Sequence, residues 1–354
     1  MKNIFHKFER AIFESPEERF AKIEKLKKLF SKVFLSLFVY VIISQLLSTV
    51  IYTVAGVMMS AEDYLEFYNN YTIAIVISCV SQYVVALPVF YLMLRGTEKA
   101  MPREKSKLSA KDLFLLILVG EALMFVGNLI GTFLNNAFGT LSGKVPENDI
   151  ANVISDIPIY LIFVVMVVIG PIVEELIFRK LMIDRLSIYG DRMAILFTAV
   201  SFGLIHANLY QFFYATLLGI LLGYVYTRTG NVKYTILIHM IINFMGSIVV
   251  LPVEDAVTEF YRLLELASAG EPFNLAVLLG CGLIVLIYTN LQYGMVIGGG
   301  FTLWHFIKTK EIRISGEKEI YVSNGDILKH GVKNVGSILF IASSLIFILL
   351  NLVA

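Results

Sequence analysis

Charge is what this sequence has least of. Asp, Glu, Lys and Arg make up 16% of its 354 residues, against 57% apolar, whereas a soluble domain carries about a quarter charged residues. The composition fits lipid as the solvent and leaves no room between apolar runs for a water-solvated domain. Net charge is only +1, and no long basic stripe with interleaved aromatics occurs, which excludes nucleic acid as a partner. There are two cysteines, Cys79 and Cys281, both inside apolar runs, so neither a disulfide framework nor a cysteine metal site is indicated. No internal repeat is evident, which counts against a transporter built from inverted halves with Glu121, Glu174 and Glu175 as a proton relay. The basic N-terminus leads into an apolar run of about 28 residues without a small-residue cleavage site, and reads as a retained anchor, not a removable signal.

What is present is length of apolar run. A transmembrane helix needs about 20 mostly apolar residues, and such runs lie near 30–58, 71–94, 112–136, 157–178, 274–306 and 334–353. The stretch 193–251 is apolar but punctuated, and divides near 193–206, 210–227 and 234–251, the first piece being short for a full span. The expectation is an all-α, polytopic transmembrane bundle of about eight or nine helices with a short N-terminal interfacial helix. Its parts are a cytoplasmic amphipathic helix at 1–29, a transmembrane domain at 30–306 with a catalytic core at about 157–251, a polar cytoplasmic loop at 307–333, and a last transmembrane helix at 334–354. Ser15-Pro16-Glu17-Glu18 has the form of a helix start, with a capping serine, proline in the first turn and glutamate three residues on. The polar loop could hold a small hairpin, Ile312–Ile314 against Glu319–Val322.

Charge tests this division independently, because basic residues collect in cytoplasmic loops. With the N-terminus inside and nine alternating spans, 27 of the 29 Lys and Arg fall inside, leaving Lys144 and Arg262. The acidic residues Glu62, Asp63, Glu66, Glu147, Asp149, Asp156, Glu254, Asp255, Glu259, Glu265 and Glu271 fall outside. The protein is expected in the cell membrane, multi-pass, with the lipid bilayer itself as one partner.

Against this background the polar groups inside apolar runs stand out, since each costs at least about 2.5–3.5 kcal/mol at the bilayer centre and is a site hypothesis by default. Three patterns carry them: Gly170-Pro171-Ile172-Val173-Glu174-Glu175 continuing to Arg179, Phe202 to His206, and His239 to Asn243. Glu175 and Arg179, four apart, share a helix face and can pair, while Glu174 points about 100° away. Pro171 removes a backbone bond and frees carbonyls one turn earlier. Glu174 lies eleven residues from Arg185, His206 fourteen from Arg192, and His239 and Asn243 six and ten from Lys233. At about 1.5 Å per residue these are roughly 16, 21, 9 and 15 Å, one layer reached from three helices. Glu121 has only Asn128 as a polar companion at helical spacing and reads as a packing residue. His6, His305 and His330 sit in polar segments or at a span's end. Gly127/Gly131 and Gly219/Gly223 read as close helix contacts.

In a dry pocket, Glu174 is suited to act as general base on a water shared with His206. His239 and Asn243 would then stabilise the oxyanion, with Glu175 and Arg179 in support. Alternatively Glu174, His206 and His239 would bind Zn²⁺ and activate the water through it, although the chain has no His-Glu-x-x-His pattern. The cofactor stays open on these residues alone.

As an ordered set, Glu174-Glu175-x-x-x-Arg179, Phe202-x-x-x-His206 and His239-x-x-x-Asn243 resemble the three motifs of the CPBP intramembrane peptidases (CAAX protease and bacteriocin-processing). Tyr210-Gln211-Phe212, Gly219, Gly223, Tyr226 and Thr229-Gly230-Asn231 are also similar to bacterial members. The resemblance covers roughly 157–250. It implies a helical membrane endopeptidase, related to type II CAAX prenyl endopeptidases, acting on membrane-associated peptides such as CAAX-like or leader-peptide substrates. It implies Glu174 and His206 activating water and His239 with Asn243 as the oxyanion site, in a family described both as metalloproteases and as glutamate-dependent. A non-catalytic bacteriocin-immunity or scaffold protein is the competing expectation.

Overall fold

The computed structural model describes residues 15–142, 157–312 and 314–353. It is all-helical, with no strand among the described residues. The helices in chain order are α1 (Pro16–Met58), α2 (Ala61–Asn69), α3 (Tyr71–Leu94), α4 (Ala110–Ser142), α5 (Ile159–Tyr189), α6 (Asp191–Ile205), α7 (Leu209–Thr229), α8 (Val232–Ser247), α9 (Leu251–Ser268), α10 (Leu275–Lys308), α11 (Asn324–Val332) and α12 (Val335–Val353). Eight stretches are long and apolar enough to cross a bilayer, α8 and α9 together forming one of them. Side chains such as Val84, Phe133, Leu286 and Phe301 are 60–70% exposed, a surface that only lipid can cover over this area.

Two differences from the sequence expectation concern element ends. The interfacial helix does not stand apart from the first span: α1 runs unbroken for 43 residues, and the remainder of the expected 1–29 segment, 1–14, lies outside the described residues. Its start is the expected capping box, with Glu18 N–H on Ser15 Oγ at 3.2 Å and Ser15 N–H on Glu18 Oε2 at 3.3 Å. The hairpin does not form among the described residues, Arg313 lying outside them. The N–H groups of Glu319 and Ile320 instead bond to Ile188 O at 3.0 and 3.1 Å, so the loop is spent docking onto the end of α5. Lys144, Glu147, Asp149 and Asp156 also lie outside the described residues.

The ninth expected piece is α6, a 15-residue helix of about 22 Å that is buried in protein along most of its length. It is antiparallel to α7, and glycines set the spacing. A Cβ on Gly219 would lie 2.9 Å from Ala199 Cα, and one on Gly223 3.1 Å from Ile195 Cγ2. On the other side of α7, a Cβ on Gly127 of α4 would meet the Tyr214 backbone nitrogen at 2.6 Å. The two small-residue pairs are therefore close helix contacts, as their spacing predicts. Near the basic end, Phe30 and Phe34 of α1, Phe197 of α6, Tyr189 of α5 and Phe340 of α12 interlock with ring centroids 4.9–6.1 Å apart. This aromatic junction ties the first and last spans to the histidine-bearing helix.

Candidate active site

The site is assembled around irregular turns of α5. Residues 163–169 and 176–183 are wound wider than an α-helix, with i→i+5 hydrogen bonds; Gly170 N–H, for instance, bonds to Val165 O. In that register the next N–H would bond to Met166 O, but Pro171 has none. The freed Met166 carbonyl accepts the Asn243 side-chain amide at 2.8 Å. The prediction that Pro171 liberates a carbonyl holds, and it explains how α8 is pinned to α5. One Asn243 N–H is thereby used, leaving the other for a ligand.

Between the two widened turns, Glu174 and Glu175 take opposite parts. Glu175 is fully buried and accepts from Arg179 Nε at 3.0 Å and Nη2 at 3.3 Å. Its Oε1 also faces His239 Nδ1 at 3.2 Å, and the Thr235 side chain lies nearby, its hydroxyl donating to Val232 O at 2.9 Å. Glu174 keeps 30% of its side chain exposed and lies 3.6 Å from His239 Nε2. His239 thus has one ring nitrogen on each carboxylate. Because Glu175 accepts at Nδ1, that nitrogen carries the proton and Nε2 is turned toward Glu174.

His206 follows the last turn of α6. Ala207, at φ +52, takes the left-handed conformation that ends the helix, and Asn208 caps α7 through Tyr210 N–H at 2.7 Å. His206 Nδ1 donates to Phe202 O at 2.6 Å, which leaves Nε2 as the acceptor. The Phe202 ring meets the His206 ring edge-on at 5.1 Å, the His239 ring at 5.7 Å and the Arg179 guanidinium at 5.4 Å. One aromatic side chain therefore sets the positions of both imidazoles and the arginine. His206 lies within electrostatic reach of Glu174 and His239.

The expected groups Glu174, Glu175, Arg179, His206, His239 and Asn243 are brought to one place. The metal set read from the same residues is not assembled: among the described residues no three donors converge to hold an ion. Glu121 is elsewhere, 5% exposed, with Oε1 lacking a hydrogen-bond partner. Arg185, from which the depth of Glu174 was counted, is itself buried and donates to Leu94 O and Leu181 O.

Several contributors have no counterpart in the sequence reading. Thr235 precedes His239 by one turn and could have been found by extending the i, i+4 series backward. Tyr40 of α1, Tyr83 of α3 and Tyr214 of α7 all lie within electrostatic reach of Glu174. A Cβ on Gly170 would stand 3.7 Å from the Tyr83 hydroxyl and 4.0 Å from Glu174 Oε1, so the missing side chain at Gly170 opens the gap between them.

Residues 156–245, which carry all of these motifs, match the family described as Type II CAAX prenyl endopeptidase Rce1-like. Over 168 residues the chain is 30% identical to "Putative membrane peptidase YdiL" of Bacillus subtilis (strain 168), covering 46% of this chain and 67% of that one. The chain belongs to the Rce1-like family. No solved structure matches it. Within this Rce1-like chain the match coincides with α5 to α8, while Tyr40 and Tyr83, within electrostatic reach of Glu174, come from α1 and α3, outside it.

Proposed function

We propose that this multi-pass membrane protein is an endopeptidase that cleaves membrane-associated peptides with a carboxylate-activated water. The observation that carries the reading is His239 standing between Glu174 and Glu175, with His206 on the same Phe202 ring. Glu174, the partly exposed carboxylate, takes a proton from water as the water oxygen bonds to the scissile carbonyl carbon. His206 Nε2 accepts the water's second hydrogen and orients it. The carbonyl π electrons move onto oxygen, where the free Asn243 N–H donates, joined by Nε2–H of His239 when that ring carries both protons. As the tetrahedral centre collapses, Glu174 returns its proton to the departing amine nitrogen and the C–N bond breaks. Glu175, held by Arg179, positions the His239 ring, and neither residue reacts. In this reading Glu174 and His206 alone activate the water.

The family and the position of the site within apolar helices support a membrane-tethered peptide as substrate, CAAX-like or leader-like. We further place the N-terminus in the cytoplasm, which puts the basic loops on that side. The test is cleavage of a farnesylated, internally quenched CAAX peptide and of an unprenylated leader-type peptide by purified protein in liposomes. Glu174→Gln should lower kcat by about 10²–10⁴ with helix content unchanged, and excess chelator should leave the rate intact. Full cleavage by Glu174→Gln would falsify the mechanism and favour the non-catalytic immunity or scaffold reading.

A further inference from the structure

Opposite chain ends meet at the basic end of the bundle, where α12 begins alongside α1. Gly336 N–H donates to Ser31 Oγ at 3.1 Å, and a Cβ on Gly336 would lie 2.7 Å from the Leu35 backbone nitrogen. The contact is tight enough to fix what surrounds it. Beside it runs an open groove of about 490 Å³, lined by Lys28, Lys32 and Lys333 together with the apolar Leu35 and Val335.

Lys28 and Lys32 are one turn apart on the same face of α1, an arrangement of like charges that repels. Lys333, from just before α12, adds a third charge. Among the described residues none of the three side chains has an ion-pair or hydrogen-bond partner, while the adjacent Lys27 is taken by Glu24 at 2.7 Å. Apolar surface starts where the lysines stop: Val335 is 67% exposed, and the apolar run of α1 begins at Val33. Three exposed lysines beside a lipid-facing apolar strip match a molecule with a phosphate at one end and a hydrocarbon chain at the other.

We propose that this groove binds one anionic phospholipid, its phosphate held by Lys28, Lys32 and Lys333 and an acyl chain lying along Leu35 and Val335. A free phosphate ion would leave the apolar lining unused. The bound lipid would clamp α1 to α12 next to the aromatic junction that holds α6. The site stands independently of the peptidase reading, and its test needs no activity.

Full-length protein released from membranes is offered phosphatidylglycerol and phosphatidylcholine of identical acyl chains, and retained lipid is counted by native mass spectrometry. One phosphatidylglycerol should be retained in preference. The triple variant Lys28→Gln, Lys32→Gln, Lys333→Gln should weaken that retention at least about tenfold. Lys105→Gln, Lys107→Gln, Lys111→Gln, with the same charge removed elsewhere at this end, should not. Equal retention of both lipids by the wild type, undiminished retention by the first variant, or equal loss in the second overturns the proposal. So does displacement of the lipid by inorganic phosphate alone, which would make the groove an ion site.

Discussion

His239 has a partner at each ring nitrogen, and both partners are carboxylates of the same two-residue sequence. The arrangement depends on Arg179. With its guanidinium on Glu175 and against the Phe202 ring, the buried carboxylate is compensated; without it, a bare charge stays in the protein interior. Arg179→Ala should cost about 3–5 kcal/mol, read as a lower melting temperature in detergent. Arg179→Lys should recover only part of that, since an ammonium cannot reproduce the two-pronged contact. Tyr83 makes a different prediction. Its hydroxyl and Glu174 border the same gap at Gly170, so Tyr83→Phe keeps the ring packing and removes one polar group from the gap beside the base. The kcat should fall about five- to tenfold with KM little changed, whereas a packing defect would show in melting temperature. The motif residues were legible in the sequence because an ionisable group in an apolar run must be satisfied. The tyrosines were not, because Tyr40, Tyr83 and Tyr214 share no spacing with Glu174 and meet it only through helix packing.

At the scale of elements, the site rests on helices that are not standard spans. The wide turns of α5 and the missing N–H of Pro171 supply the carbonyl that anchors α8. The short, buried α6 delivers His206 to the layer where α5 and α8 present their groups. Gly203, one turn before His206, packs against α7 so closely that a Cβ there would fall onto the Thr216 hydroxyl and 2.6 Å from Phe212 O. Gly203→Ala should therefore cost about 1–3 kcal/mol and displace His206, lowering peptide cleavage more than stability alone explains. Gly246→Ala, on α8 with nothing within 4 Å of the added carbon, should be neutral or slightly stabilising. Proline and glycine positions announced irregularity in the sequence. The direction of each irregularity did not appear there, since it depends on which neighbour takes the freed group.

For the whole molecule, orientation is the prediction at stake. In a background lacking Cys79 and Cys281, Ser106→Cys should react with impermeant thiol reagents only from the cytoplasmic side. Ser268→Cys, at the end of the acidic α9, should react only from outside. Labelling of both from one face would overturn the orientation and the substrate access that goes with it.

The all-helical membrane bundle, the approximate spans and the polar groups of one buried layer follow from composition and apolar run length. These are properties of local solvation, and a bilayer imposes them on any sequence in the same way. Which imidazole faces which carboxylate, and that tyrosines of α1 and α3 come within electrostatic reach of Glu174, were decided by tertiary packing. Those outcomes depend on close approach between residues distant in the chain, set by glycines and by the competition of neighbours for each freed backbone and side-chain group.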